Sequence, residues 1–513
     1  MGAVVLAVAI MAVSPYPVGV FVDDGYYVIL AKALATGHGL RYLQLPGEPY
    51  ATHFPPGYPV FLAVLWRMAP DFPSNVAVFK FANAGLLAIA AFLGYLLGVR
   101  RLRLSARVAA PAVLLGTASI PALLLAGMVL SETLCLALLV ATLLVAERAL
   151  DTPSIRAAVA VGLLCGVLAL VRTLGAVVLP VAVLLLWRRC GWRHGAAALA
   201  AGLLLLAPWQ LWVVAHPGEQ LPDLVGSFGS YGGWLSAGYR ELGWTGLWAL
   251  AARNAGVLLG SVRVLIAPLL PVGVKDVFLG VALVVWVLGA WAAARRAPVF
   301  LGTVLAYLCV VLLWPFAPLR FIWGIWLLVA LLFALGVSAI ARWRASGPVA
   351  VTARRVALAA CAVVAAGHLA YNVRGYHGRW WDSIPRAGAE GAAPLLRWAA
   401  ERTRPGDILV SDYDNMQYLY AGRRALPPYT LTAAEYVRPL PERERADALG
   451  RILAYSGARF LLSSSDSVLQ AVGVLASRGD VHLVPIDSLA GGGTVFRVER
   501  PEARPGSTGR PGR

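Results

Sequence analysis

The sequence predicts a polytopic α-helical membrane protein, with about eleven transmembrane helices and a small C-terminal α/β soluble domain. Three observations lead there. Of 513 residues, 59% are hydrophobic and 14% charged, against about 45–50% and about 25% in soluble domains, and the mean hydropathy is +0.72. Apolar runs of spanning length follow one another to about residue 371. Beyond that point the composition changes, and short apolar strands alternate with helical patterns. An ordinary soluble enzyme, a disordered chain and a nucleic-acid-binding domain are thereby excluded, although the net charge is +18. In a membrane protein that charge first marks a side, because Arg and Lys collect in cytoplasmic loops.

The first run, about 3–21, has no basic leader and no small-residue cleavage site, and it ends in Asp23-Asp24. It reads as a retained transmembrane helix. Further runs lie at about 74–98, 107–127, 129–147, 156–171, 173–187, 195–215, 276–294, 298–316, 320–341 and 351–371, set against the roughly 20 apolar residues that a span needs. Two other apolar pieces require a decision. Residues 56–69 are too short to span, and 249–271 contains Arg253, Asn254 and Arg263. With both left out, the clusters at Arg100–Arg107, Arg148–Arg156, Arg188–Arg193, Arg295-Arg296 and Arg342–Arg355 fall on one side. Counting 249–271 as a span flips the last two. The positive-inside rule therefore leaves both pieces as interfacial helices and places the N-terminus in the cytoplasm.

On this topology, loops 22–73 and 216–275 share the outer side with the C-terminal region, and residues 1–371 form the membrane domain. Strands are expected at 407–412, 458–464, 481–487 and 494–500, within an extracytoplasmic α/β domain over 372–500. The Pro/Gly/Arg-rich tail 501–513 reads as disordered. The five cysteines lack metal-ligand spacing, and none falls in the C-terminal region.

Asp23 and Asp24 are the sharpest chemical feature. Two adjacent carboxylates at a membrane surface are costly to desolvate. They can cap the helical pattern that follows, serve as a general base, or hold a divalent cation, the one cofactor the pair suggests. Ionisable residues inside apolar spans are rare and informative. Glu132, Arg172, Arg320 and Lys80 all map to the outer ends of spans, where cations suit an anionic headgroup such as a phosphate. His53 and Tyr58 stand in THFPPGYPVFLAVLW (52–66), where Pro55-Pro56 stiffens the chain ahead of an apolar helix. Taken alone, His53 reads as a surface histidine and that segment as an interfacial helix.

The order of these features resembles the GT-C integral membrane glycosyltransferases. It runs from a first span through Asp-Asp, a short helix, Pro-Pro-x-Tyr, an Arg-rich inner loop, Ser-Glu at the head of a span and a late Arg-aromatic to a soluble tail. Within that family it looks like the bacterial relatives of the protein O-mannosyltransferases and the aminoarabinose transferases of lipid A. The resemblance covers most of 1–371 and extends to GDILVSDYDNMQYLYAGRRALPPY (406–429). It implies that Asp23 or Asp24 acts as catalytic base, or places the acceptor or a metal. It implies that Arg320, Arg172, His53 and Lys80 meet the donor phosphate, and that Glu132 and Tyr58 serve the acceptor or the structure. The family's Lys-Pro-Pro is Phe54-Pro55-Pro56 here, and its Arg-Tyr is Arg320-Phe321.

The implied reaction moves a sugar from a polyprenyl-phosphate donor to an acceptor hydroxyl at the extracytoplasmic face, with inversion. The acceptor is a glycan, a lipid or a protein, and the setting is the bacterial inner membrane. The sequence holds no Gly-rich phosphate cradle after a strand, in keeping with a donor that is not a nucleotide. The rival readings are a transporter or flippase of lipid-linked saccharides, a polymerase or ligase of the same lipids, and a non-catalytic scaffold. A transporter would show repeat halves and broken helices near the midplane, and neither is visible.

Overall fold

Uninterrupted apolar runs become helices, because a backbone in lipid must satisfy its own N–H and C=O groups. The computed structural model describes residues 1–217, 222–478 and 481–499; the expected disordered tail lies outside the described residues. The chain begins with α1 (Gly2–Met11), α2 (Asp23–Ala35) and α3 (Gly57–Met68). Next come α4 (Asn75–Leu96), α5 (Ala106–Thr117), α6 (Ile120–Gly127), α7 (Glu132–Asp151), α8 (Ile155–Val171), α9 (Val178–Cys190) and α10 (Trp192–Ala215). After a loop, α11 (Val225–Phe228) and α12 (Tyr231–Ile266) precede α13 (Val272–Arg296), α14 (Pro298–Leu313), α15 (Leu319–Gly324), α16 (Trp326–Ala341) and α17 (Pro348–Gly378).

Helices α4, α7, α9 with the turn before it, α10, α13 and α17 are long and apolar enough to cross a membrane, and α8, α14 and α16 are shorter apolar helices. Helices α5 and α6 form one element bent by 51°. Ser119 is extended there and Pro121 follows, so the helical ladder breaks. Side chains of α17 repair it: Tyr376 donates to Ala118 O at 2.7 Å, and Asn372 Oδ1 accepts from Ile120 N at 2.8 Å. Helix pairs approach closely at glycine. A Cβ on Gly162 would stand 2.1 Å from Ala198 O, and one on Gly336 would stand 2.0 Å from Val285 O. Small residues at such crossings let helix backbones pack tightly in lipid.

The bundle has two unlike ends. At the basic end, Arg296 donates to Leu102 O at 3.1 Å, Arg342 to Arg103 O at 3.3 Å, and Arg101 pairs with Asp151. The opposite end, the rim, carries α2, α3, α15 and the C-terminal domain. Helix α12 decides the span count. Its length and composition alone would let it cross, but several of its polar partners stand at the rim. Tyr239 donates to Leu313 O at 2.7 Å, Asn254 to Trp314 O at 2.8 Å, Arg253 to Tyr436 O at 2.5 Å, and Arg263 pairs with Asp276 at 2.7 Å. These bonds tie it to the rim. It kinks at Gly243 (φ 59°, ψ −174°), a conformation that essentially only glycine adopts.

Helix α1 departs from expectation. The run read as a span over about 3–21 holds only ten helical residues, about 15 Å at 1.5 Å per residue. It accompanies the rim half of α4, with Gly2 against Ala88 and Phe92. Residues 12–22 leave the helix, and Lys80 of α4 donates to Ser14 O at 2.8 Å and Tyr16 O at 2.5 Å.

After α17 the chain turns at Arg379 (φ 47°) into α18 (Ser383–Arg402), β1 (Leu409–Ser411), α19 (Asp414–Ala421), β2 (Ala425–Leu426), α20 (Glu442–Ser456), β3 (Phe460–Ser463), α21 (Asp466–Arg478), β4 (His482–Leu489) and β5 (Gly493–Glu499). The sheet order is β2-β1-β3-β5-β4. β2, β1 and β3 run parallel, and β5 is antiparallel to both its neighbours. The domain sits on the rim loops. Arg451 holds Asp223 through two bonds of 2.7 and 2.8 Å, Ala425 N donates to Gln44 O at 3.0 Å, and Arg424 pairs with Glu48.

Candidate active site at the rim

The site begins at the turn before α2. Asp24 is buried, and its Oδ2 and Oδ1 accept from Gly19 N at 2.9 Å and Phe21 N at 3.0 Å. These bonds hold Val22 at φ 67°, where a β-branched residue is a clear outlier. Asn415 of α19 donates to Val22 O at 3.0 Å. Backbone held in a disfavoured region marks a place where the fold fixes a geometry. The geometry fixed here is the direction of Asp23.

Asp23 points away from Asp24. Its Oδ2 accepts from Arg320 Nη1 at 2.6 Å. Arg320 Nε pairs with Glu132 Oε1, which also faces Arg172 Nη1 at 3.0 Å. Arg172 Nη1 donates to Ser131 Oγ at 3.0 Å, and Tyr27 OH lies 3.2 Å from the same oxygen. Two carboxylates and two guanidiniums thus form one chain with no net charge. Its members grow more exposed along the chain, from Glu132 at 3% through Arg172 at 12% and Arg320 at 16% to Asp23 at 29%. The charge most available for chemistry is therefore Asp23. Arg320 Nη2 finds no hydrogen-bond partner among the described residues.

Asp23, Arg172 and Arg320 line one cavity of about 900 Å³. Its membrane side is aromatic and apolar, with Trp314, Phe316, Leu319 and Trp323, and its roof is the C-terminal domain. The indole N–H of Trp323 has no partner among the described residues. Tyr27 also lines the cavity, but burial pushes its hydroxyl up to about 12, so it stays protonated and cannot act as the base.

The structure separates the residues singled out by sequence. Asp23, Arg320, Arg172 and Glu132 come together. Asp24 does not join them: both of its oxygens accept from the turn, and burial pushes its carboxyl up to about 6. The two adjacent acids therefore do not converge on a shared ligand, and no group of three or more His, Cys, Asp or Glu side chains lies together among the described residues. His53 faces the backbone rather than that chain of charges. Burial pulls it down to about 4, its Nδ1 bonds Gly229 O at 2.8 Å, and its ring stacks on Tyr231 with centroids 3.9 Å apart. It remains a neutral part of the cavity wall. Lys80 spends its ammonium on the carbonyls of Ser14 and Tyr16 and is not part of that wall. Tyr58 is fully buried and donates to Asn83 Oδ1 at 3.2 Å, so its role is structural.

The side chains that the C-terminal domain brings to the cavity were not singled out in the sequence. Asp412 accepts from Ser463 Oγ at 2.7 Å and from the backbone of Ser464 and Ser465 at 2.8 and 3.1 Å. Asp414 accepts from Tyr26 OH at 3.0 Å, linking the roof to α2. The available signal was the position of Ser-Asp-Tyr-Asp immediately after a strand, since parallel sheets bind ligands at the carboxyl ends of their strands.

A bundle of apolar helices, acidic and basic side chains at one rim and a small domain above the cavity agree with the fold class expected from the sequence. Among solved structures, the chain is similar to ArnT from Cupriavidus metallidurans, whose crystal structure is bound to undecaprenyl phosphate. The TM-score is 0.56 at 16% identity, over 96% of each chain. It is more loosely similar to the arabinofuranosyltransferase AftD from Mycobacteria, at a TM-score of 0.45 and 17% identity over 98% of this chain and 40% of that one. No family model and no curated protein matches the chain.

Proposed function

We propose that the protein is a membrane glycosyltransferase that moves a sugar from a polyprenyl-phosphate donor to an acceptor hydroxyl. The observation that carries this reading is the Asp23–Arg320–Glu132–Arg172 chain opening into a cavity with an apolar wall. A lipid phosphate entering along that wall meets Arg320 and Arg172. Because both arginines are already paired, the phosphate takes a share of Arg320 from Asp23. Asp23 is then free to accept the proton of the acceptor hydroxyl. That oxygen attacks the anomeric carbon, the bond to the phosphate oxygen breaks, and the lipid phosphate leaves with its charge met by the two guanidiniums. Direct attack inverts the anomeric centre. Glu132 keeps both arginines in place. General-base assistance contributes about 10²–10⁴ in rate. That ArnT, which shares the fold, holds undecaprenyl phosphate supports the choice of donor lipid. The rim then faces the extracytoplasmic side of a bacterial inner membrane, with the basic end in the cytoplasm.

The test uses full-length protein in nanodiscs, labelled polyprenyl-phosphate sugars and a mixture of cell-envelope glycans and lipids. Asp23→Asn should lower transfer by about 10²–10⁴ while undecaprenyl phosphate still binds. Normal transfer by Asp23→Asn removes the proposed base. Movement of intact labelled lipid between leaflets without cleavage assigns the cavity to a transporter.

A further inference from the structure

We infer that the roof of the cavity is a second subsite, in which Arg445 receives an anionic group of the acceptor. The inference rests on the reading of the cavity as a transferase site. Topology supplies the first observation. The carboxyl ends of the three parallel strands all open into the same cavity: Asp412–Asp414 after β1, Pro427–Leu431 after β2, and Ser464–Ser467 after β3. Loops at that end of parallel strands are where such sheets bind ligands.

The state of the charges supplies the second. On the membrane side of the cavity every guanidinium has a carboxylate. Arg445, on α20, lines the roof and forms no salt bridge or side-chain hydrogen bond among the described residues. Its Nε is buried without a partner, and so is the hydroxyl of Tyr429, whose ring lies 5.7 Å from the Arg445 guanidinium carbon. Glu435, which feels the Arg445 charge, is buried and bonded to Thr432 N at 2.7 Å; burial pushes it up to about 7, and the Thr432 bond and Arg445 pull it only part of the way back. Buried donors without partners are costly to a protein, and a half-buried guanidinium beside a free phenol suits a phosphate or a carboxylate. The hydroxyls of Ser464 and Ser465 add donors on the same wall. Floor and roof therefore divide the cavity: lipid phosphate below, and an anionic sugar-bearing acceptor above, with its hydroxyl directed toward Asp23.

The test measures binding of three small probes, glucose 6-phosphate, glucuronate and glucose, to the full-length protein in nanodiscs. Wild type should bind one of the anionic probes at least about tenfold tighter than glucose, and the one preferred tells a phosphate from a carboxylate acceptor. Arg445→Gln should abolish the preference, Arg445→Lys should keep part of it, and Tyr429→Phe should weaken it, while all three retain undecaprenyl phosphate binding. Equal binding of glucose by wild type, or an unchanged preference in Arg445→Gln, overturns the subsite. Loss of undecaprenyl phosphate binding by wild type would instead overturn the transferase reading.

Discussion

The two ends of the helical bundle use arginine in opposite ways. At the basic end Arg100, Arg103, Arg107, Arg188, Arg189, Arg295 and Arg342 are exposed, and the Arg101–Asp151 pair stands in the open, with Asp151 68% exposed. At the rim, Arg172 and Arg320 are largely withdrawn from solvent and share one carboxylate that is 3% exposed. Exposed arginine marks the side of a membrane through its sum of charge. Buried arginine is tolerable only in a closed circuit, where removing one member leaves the others uncompensated. The most direct way to break this contrast is Glu132→Gln, which leaves Arg172 without a carboxylate and Arg320 with Asp23 alone. It should cost about 3–5 kcal/mol, read as a lowered unfolding temperature in detergent. A variant that unfolds like wild type would mean that the circuit is not closed.

The next largest effect tests whether the roof obeys the same rule. Asp414 is buried against Tyr26, and burial pushes its carboxyl up to about 7. The folded state therefore holds a proton that the unfolded chain releases near pH 3.9. Where the folded state binds more protons, stability falls as pH rises. Asp414 contributes most at about pH 4 and below, loses that contribution up to about pH 7, and is flat above. Asp414→Asn carries no such titration, so it should gain on wild type across that window. Asp24, Glu435 and His53 titrate in both proteins and cancel from the difference. A constant difference in unfolding temperature from pH 4 to 8 would show Asp414 ionised throughout.

Asp24 sharpens the comparison at the scale of neighbouring residues. Asp24→Asn should cost about 1–3 kcal/mol, because an amide nitrogen would face a backbone N–H. Transfer should fall less than in Asp23→Asn, since the base remains. Equal losses in the two variants would return Asp24 to the chemistry.

What the sequence made legible follows the same division. The bundle could be read because each span is a long apolar run. Asp23 stood out because acids seldom follow an apolar run. Its separation from Asp24 could not be read, since it depends on a backbone turn at Val22 held from residue 415. Helix α1 was overestimated because apolar composition continues past Met11 into chain pinned by Lys80. Strand β2 has two residues and leaves no period. Arg445 lies in PERERADALG, which reads as a solvated charged face until the fold turns one of its arginines inward.

The smallest effect closes the comparison at the basic end. Asp151→Asn removes the carboxylate of a surface pair, and exposed pairs contribute about 0–1 kcal/mol. The long Arg101 side chain loses a partner that water replaces, so unfolding temperature and transfer should both stay near wild type. Raising the salt concentration should have as little effect on wild type, because the pair is already screened. Glu132→Gln and Asp151→Asn each delete one acid from an arginine pair in the same protein, so their difference isolates what burial adds. If Asp151→Asn proved as damaging as Glu132→Gln, burial would not be what distinguishes the rim, and the claim that its circuit sets up Asp23 would lose its physical basis.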